Sequence, residues 1–222
     1  LIQDYLNFTD EGEDVLSDIQ MRRDRVRTGD RYIGCHLIAD LDQLPAEVAS
    51  CRKVTSLSTD SSAVNLSFLN EIGQELDCEH IVNHFILKEP QKDIHGELDT
   101  RRRQMLSMSA RSAENRTYSE ELNEFLEEAA TEQMHTVRFH INVLAGGTAD
   151  EFESVKDKVV SAVSRMGVTP VYDIYDTPCQ FWASIPGNEA GLAYQEYMTA
   201  DLKVALCMGI YDGFEPGVPD GV

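Results

Sequence analysis

The residues that first suggest chemistry are two histidines four positions apart, His80 and His84. Cys78 and Glu79 directly precede His80. On a helix this spacing would let both imidazoles reach one metal ion. However, His84 lies in a run of β-branched and aromatic residues that predicts a strand, along which four residues span about 13 Å. Two side chains that far apart cannot share one ion, and no third or fourth ligand is evident. We therefore expect no metal site.

Nucleotide binding is the second chemistry to consider. A phosphate-binding loop of the Walker A type needs the pattern GxxxxGK[ST], and none of the six lysines follows a glycine. Gly146-Gly147-Thr148 does precede a predicted helix, so a weak anion site and an ordinary strand-to-helix turn are both compatible with it. We favour the turn, and we expect no ATP, magnesium or other cofactor in this chain.

Nucleophilic catalysis finds no support either. There is no GxSxG nucleophile elbow, and the five cysteines are odd in number, widely scattered and free of any CxxC pair. This usage indicates reduced thiols in a cytoplasmic compartment rather than a disulfide framework. The glutamates between residues 120 and 132 are best interpreted as a solvated helix face. We expect the chain not to be an enzyme.

The net charge of −20, from 39 acidic and 19 basic residues, limits the partners. Nucleic-acid affinity comes largely from Lys and Arg that neutralise phosphates. The basic residues cluster at 22–27 and at 101–103, but acidic residues stand beside both clusters, so we interpret them as salt-bridged helix faces and expect no direct nucleic-acid binding. No apolar run approaches the roughly 20 residues needed to span a bilayer, so any membrane contact is expected to go through a partner or through a segment outside this sequence.

The elements that position these residues follow from the period of the apolar positions. Helices are predicted over 15–26, 64–76, 97–134 with an interruption at 107–118, 150–166, and from Asp176-Thr177-Pro178 to Ile185. Strands are predicted over 31–39, 81–87, 137–143 and 171–175, with a further extended stretch at 54–57. In the strand over 137–143 the apolar residues alternate strictly, so one face should meet a core. His140, and likewise His36, should then lie on half-exposed polar faces.

This order predicts an α+β fold, specifically a ferredoxin-like βαββαβ antiparallel sheet with a long helical insertion at 97–134, between the second and third core strands. A parallel α/β sheet is the weaker alternative, because the connections are uneven. We expect a charged N-terminal segment over 1–30, the α+β domain over 31–190, and a C-terminal extension over 191–222. The last residues look like a loop that continues, so we expect the chain to be a piece of a longer polypeptide.

The segment 171–191 holds more unusual residues than a strand and a helix require. It contains the only tryptophan, Trp182, beside Phe181, and it ends on Pro186-Gly187-Asn188. One interpretation is a core tryptophan followed by a tight turn. The other is an interaction surface, because a rigid tryptophan beside a turn is a good interface anchor. Phe181, Trp182, Pro186, Gly187 and Asn188 are therefore the candidate surface residues.

The segment also carries a resemblance. Residues 176–188, which end on Trp182-Ala183-Ser184-Ile185-Pro186-Gly187-Asn188, resemble the aromatic-Ala-x-[Ile/Leu]-Pro-Gly-Asn segment of type IV secretion and conjugation ATPases. Gly29-Asp30-Arg31-Tyr32 with Leu44-Pro45, Leu57-Ser58-Thr59-Asp60, Leu66-Ser67-Phe68 and the strand over 137–143 look similar to the TraG branch found on conjugative transposons. The resemblance spans roughly residues 29 to 210.

The resemblance implies a membrane-associated hexameric ATPase that powers a mating channel. In such proteins the N-terminal domain contacts inner-membrane channel components and neighbouring subunits, while ATP and magnesium bind a C-terminal motor. The motor's residues have no counterpart in this sequence. We therefore expect a non-catalytic interaction domain, cytoplasmic at the inner face of the membrane and homo-oligomeric within the full-length protein. A free-standing small enzyme with an unrecognised site and an acidic adaptor remain the alternatives.

Overall fold

The computed structural model of the chain describes residues 2–8, 16–45, 48, 52–53, 58–59, 63–209 and 213–215. Within them the strands are β1 Ile19–Arg22, β2 Arg25–Thr28, β3 Arg31–Ile38, β4 Arg52–Lys53, β5 Ala63–Leu66, β6 Glu79–Leu87, β7 Thr136–Thr148, β8 Val171–Tyr172, β9 Met198–Asp201 and β10 Gly213–Glu215. The helices are α1 Ile2–Asn7, α2 Asn70–Glu75, α3 Gln91–Met108, α4 Ala113–Thr131, α5 Phe152–Arg165, α6 Thr177–Ala183 and α7 Leu202–Cys207.

The larger sheet has seven strands. Its main path is β1-β2-β3-β7-β6, with β8 paired to β3 and β9 paired to β7. The registers of β1 with β2, β2 with β3, β3 with β7 and β3 with β8 are all antiparallel. The predicted α+β class is thus confirmed. The strand order differs from that of a four-stranded ferredoxin-like unit, because the hairpin β1–β2 and the short strand β9 also belong to the sheet.

The N-terminal hairpin corrects the helix predicted over 15–26, in so far as those residues are described. Residues 25–28 alternate Arg-Val-Arg-Thr, and of these Val26 and Thr28 are buried. That is the period of two of a strand with one covered face, not the 3.6-residue period of a helix. The Arg27 guanidinium lies over the Tyr32 ring, 5.5 Å from its centroid, and its Nε donates to the Gly29 carbonyl.

A second, smaller sheet has the order β10-β5-β4, with both pairings antiparallel. Its strand β5 occupies the first residues of the helix predicted over 64–76, so that prediction is wrong at its start, and α2 begins only at Asn70. Leu69, Ile72 and Leu76, whose helical spacing underlies that prediction, are buried. The extended stretch predicted at 54–57 lies outside the described residues.

Both faces of β3 and β7 are covered, which corrects the prediction of half-exposed polar faces. Every residue of β7 from Thr136 to Gly147 is buried. Val155 of α5 packs near Gly147, whereas Phe8, directly after α1, packs near Gly146, so helical elements lie on opposite faces of the strand. As a result His140 and His36 are 0% and 2% exposed.

One core cluster lies on the face that α1 and α6 cover. Its buried members come from the segment after α1, the strands β2, β3 and β7, and α6: Phe8, Val26, Ile33, Cys35, Leu37, Leu144 and Phe181. The opposite face meets the apolar stripe of α5. Of the six residues predicted to be buried there, Met166 is only half-buried and five are buried: Phe152, Val155, Val159, Ala162 and Val163. The capping box predicted over Thr148–Glu151 forms only in part. The Glu151 carboxylate accepts from the Thr148 N–H and hydroxyl, but no side chain caps α5, which begins at Phe152 with Glu151 as its N-cap.

The chain divides into two compact units. One comprises Leu1–Phe85, His140–Met198 and Cys207–Val222, and the other Ile86–Phe139 and Thr199–Leu206. The second unit contains the helical hairpin α3–α4, where a helix interrupted at 107–118 was predicted. The observed interruption is shorter: α3 ends at Met108, and the Ser112 side chain caps α4 by accepting from Asn115 N.

A buried arginine holds the second unit together. Arg138 is 5% exposed, and its Nε donates to a Glu89 carboxylate oxygen at 2.8 Å. It also forms an ion pair with Glu97, so the buried charge is compensated.

None of the described helices is both long enough and apolar enough to cross a bilayer.

Candidate interaction surface

Helix α6 begins in a turn that fixes its direction. The Asp173 carboxylate accepts from the backbone N–H groups of Tyr175 and Asp176, both at 2.9 Å. The Thr177 hydroxyl donates back to the Asp173 carbonyl at 3.0 Å. Pro178 then stands in the first turn of the helix, where its missing N–H costs nothing. The Asp-Thr-Pro sequence therefore starts the helix, as predicted.

A buried polar network attaches α6 to the sheet. The Gln180 side-chain oxygen Oε1 accepts from Asn142 Nδ2 at 2.9 Å and lies 3.0 Å from His140 Nε2. Asn142 Oδ1 in turn accepts from Asn83 Nδ2 at 2.7 Å, which extends the network to β6. Amide side chains suit such a chain because each can donate and accept at once. The network sets the position of α6 against β7.

Both ring nitrogens of His140 face oxygen acceptors. Nδ1 lies 2.9 Å from the Glu196 carbonyl, and Nε2 faces Gln180 as described. Burial lowers the pKa of His140, although these two hydrogen bonds act in the opposite direction. A neutral ring has one N–H and donates to only one of the two acceptors. The His140 ring therefore lies between α6 and the segment that contains Glu196.

The loop after α6 is held in a single turn and faces solvent. Asn188 Nδ2 donates to the Trp182 carbonyl at 2.8 Å, and the Asn188 N–H donates to the Ile185 carbonyl at 2.9 Å. Gly187 has a φ of +92°, a conformation that glycine adopts without strain. Pro186, Gly187 and Asn188 are all exposed. The loop thus presents three exposed residues on a fixed backbone.

Trp182 supports this loop from the side. Its ring meets the Phe181 ring edge-on at 5.6 Å between centroids, and its Nε1 lies 3.3 Å from the Met21 sulfur of β1. Trp182 is half-buried against the core cluster, whereas Phe181 is 0% exposed. The five predicted surface residues therefore separate into two parts: Phe181 and Trp182 form the packed base, and Pro186, Gly187 and Asn188 form the exposed loop.

An apolar groove of about 840 Å³ lies beside the loop. Its wall on one side is α1, where Tyr5 donates from its hydroxyl to the Phe181 carbonyl at 2.5 Å. The other lining residues come from α1 and the residue after it, from the start of β6 with the two residues before it, and from the segment after α6: Ile2, Asp4, Phe8, Asp77, Cys78, Glu79, His80, Ile81, Asn83, Ser184, Ile185 and Pro186. We call the Pro186–Asn188 loop together with this groove the α6 surface.

The residues first considered for metal or phosphate binding have structural contacts. His80 Nδ1 donates to the Cys78 carbonyl at 2.8 Å, and in the part of the chain that is described no three His, Cys, Asp or Glu side chains are grouped to hold an ion. At the Gly146-Gly147-Thr148 turn, the Glu151 carboxylate accepts from the Thr148 N–H at 3.1 Å. A carboxylate therefore occupies the position that an anion would need.

Gln180, Asn142, Asn83 and Tyr5 were not singled out from the sequence. Local patterns contain little indication of their role. In β7, for example, polar residues alternate with apolar ones, as they also would on a strand with one solvated face. No protein-family model matches this chain, and no curated protein matches it significantly.

Proposed function

We propose that this chain is a non-catalytic interaction domain of a TraG-like conjugation ATPase, and that the α6 surface binds an inner-membrane component of the mating channel. The observation that carries the proposal is the Pro186–Asn188 loop. It belongs to the segment that resembles the conjugation ATPases, and it is exposed on a helix that a buried network fixes in place.

The chemistry of the groove favours an apolar partner segment that carries basic residues. Tyr5, Phe8, Ile81 and Ile185 supply an apolar lining. Carboxylates stand among them, and the whole chain has a net charge of −20, which repels acidic partners. Apolar anchors that enter such a groove provide most of the binding free energy in protein interfaces.

The strand pairings support a finer proposal about the core. β8 pairs with β3, β3 pairs with β7, and β7 neighbours β6, so these four strands have the neighbours expected in a ferredoxin-like unit. We propose that β3, β6, β7 and β8 form such a unit, to which the hairpin β1–β2 and the strand β9 are additions.

The chain's acidic surface and the absence of a Walker A sequence fit a docking role better than catalysis.

A pull-down from donor-cell membranes tests the function. The wild-type chain is expected to recover inner-membrane components of the mating channel, and Pro186→Glu is expected to recover much less of them. Val160→Glu is the matched control, since Val160 is 40% exposed on α5 and does not line the groove. Equal recovery by both variants, or none by the wild type, would contradict the proposal.

A further inference from the structure

The end of the α3–α4 hairpin has a charge opposite to that of the rest of the chain. Residues 101–116, which we call the basic tip, contain five arginines, one glutamate and no other charged residue. Residues 117–134, which follow along α4, contain six glutamates and no lysine or arginine. The hairpin is therefore strongly polarised along α4, within a chain whose net charge is −20.

Two large apolar side chains are exposed on the same basic tip. Leu106 is 53% exposed and Met108 is 44% exposed, both in the last turn of α3. Arg103 precedes Leu106 by three residues, a spacing that places the two side chains next to each other on the helix surface. Arg111, in the turn between the helices, is also exposed.

The basic tip is held in shape by the hairpin itself. Arg102 is bonded to Asp99 at 2.7 Å, and the Ser119 hydroxyl donates to the Arg102 carbonyl at 3.3 Å. The Arg101 guanidinium lies over the Tyr118 ring, 5.2 Å from its centroid. The last two contacts join α3 to α4 at the basic tip. Arg103 also pairs with Asp99 at 2.6 Å, but its side chain is 73% exposed, and Leu106 and Met108 face solvent.

We propose that the basic tip binds directly to the surface of an anionic phospholipid bilayer. Arginines attract acidic headgroups, exposed leucine and methionine enter the boundary between headgroups and acyl chains, and the glutamates of α4 are repelled from the same surface. The charge gradient therefore orients the hairpin with its tip toward the lipid. This inference does not rest on the proposed function, which gives the chain a membrane contact only through protein partners.

A nucleic acid is the other polyanion to consider, and the basic tip fits it less well. Single-stranded nucleic acids bind to aromatic side chains on which bases stack, and residues 101–116 contain no Phe, Tyr or Trp. Leu106 and Met108 would gain little beside a phosphate backbone, whereas an acyl-chain boundary removes them from water.

Co-sedimentation with vesicles tests the proposal. The chain is expected to bind vesicles of phosphatidylcholine and phosphatidylserine, to ignore vesicles of phosphatidylcholine alone, and to be released by high salt. Arg103→Gln and Arg111→Gln should each lower the partition coefficient about five-fold. Leu106→Ser with Met108→Ser should also lower it. Lys88→Gln with Lys92→Gln, which removes two exposed cations outside the basic tip, should leave it unchanged.

Three results would overturn the proposal. The first is no sedimentation with phosphatidylserine vesicles. The second is equal losses in the tip variants and in the lysine control. The third is binding of a single-stranded oligonucleotide that depends on Arg103 and Arg111 but not on Leu106 and Met108, with no binding to vesicles. Circular dichroism of each variant checks that the hairpin has kept its helices.

Discussion

The side-chain oxygen of Gln180 lies 3.0 Å from Nε2 of His140, and both residues are buried. This contact joins α6, whose C-terminal loop is the candidate partner-binding segment, to the central strand β7. Gln180 Oε1 also accepts from Asn142 Nδ2 at 2.9 Å, so one amide oxygen lies within hydrogen-bond distance of both side chains.

Replacing Gln180 by methionine should destabilise the fold. The change keeps the side-chain volume but leaves the polar groups of His140 and Asn142 without this acceptor, at a cost of about 2–4 kcal/mol in the free energy of unfolding. Chemical denaturation measures the effect. Gln104→Met, at an exposed position, is the control and should change stability by less than about 0.5 kcal/mol. A similar small change for Gln180→Met would mean that the network does not hold α6.

Two glycines with open space around them should respond in opposite directions to alanine. A Cβ at Gly187 or at Gly96 would meet no atom within 4 Å, so only backbone conformation distinguishes them. At Gly187, with φ at +92°, alanine should lower stability by about 1 kcal/mol. At Gly96, within α3, alanine should raise it by about 1 kcal/mol. Thermal melts of both variants check this, and changes of the same sign would contradict it.

Acidification should weaken the fold through its buried histidines. Burial, with a smaller effect from Lys156, lowers the pKa of His36 to about 4. In the unfolded chain His36 binds a proton near pH 6.5, whereas in the folded chain it stays neutral down to about pH 4. The contribution of His36 to the free energy of unfolding is therefore complete above pH 6.5 and is lost as pH falls toward 4. The slope from this residue is about 1.4 kcal/mol per pH unit. Burial lowers the pKa values of His84 and His140 too.

The variant His36→Leu isolates this contribution. The plot of its unfolding free energy against pH should be shallower between pH 6.5 and 4 than that of the wild type, because no imidazole remains at this position. Identical slopes for the two proteins would show that the burial of His36 does not determine the acid sensitivity.

Trp182→Ala should affect folding more than partner binding. The half-buried ring packs against Phe181 and Met21, so its loss should cost about 2 kcal/mol or more of stability. Trp182→Phe should retain part of it. A melting temperature unchanged in Trp182→Ala, together with a lost pull-down of channel proteins, would instead make Trp182 a binding anchor.

The sequence correctly predicted those elements in which the apolar residues repeat with a single period, either that of a strand or that of a helix. The alternation over 137–143 and the stripe of α5 correctly placed a strand and a helix, since each pattern has the period of its element. The same alternation predicted one solvated face for the strand, whereas both of its faces are covered. The hairpin β1–β2 was missed because the half-buried Arg25 and Arg27 alternate with Val26 and Thr28 and make the segment look like a charged helix. The burial of His140 could not be predicted, because the residues that satisfy it lie 40 and 56 positions away.

The α6 surface was predicted only as a set of neighbours along the chain. The sequence placed Phe181, Trp182 and Pro186–Asn188 together, but burial separates Phe181 from the exposed loop. The groove was not foreseen, since its walls come from α1, β6 and the end of α6, which are far apart in sequence. Local patterns do not report such long-range packing.

The frequency of conjugative DNA transfer tests the central claim most directly. Donor cells would carry the protein with Pro186→Glu, or with Val160→Glu as the matched surface control. If the α6 surface docks the domain onto the mating channel, transfer falls with Pro186→Glu and stays at the wild-type level with Val160→Glu, at equal protein abundance. Wild-type transfer with Pro186→Glu would contradict the account.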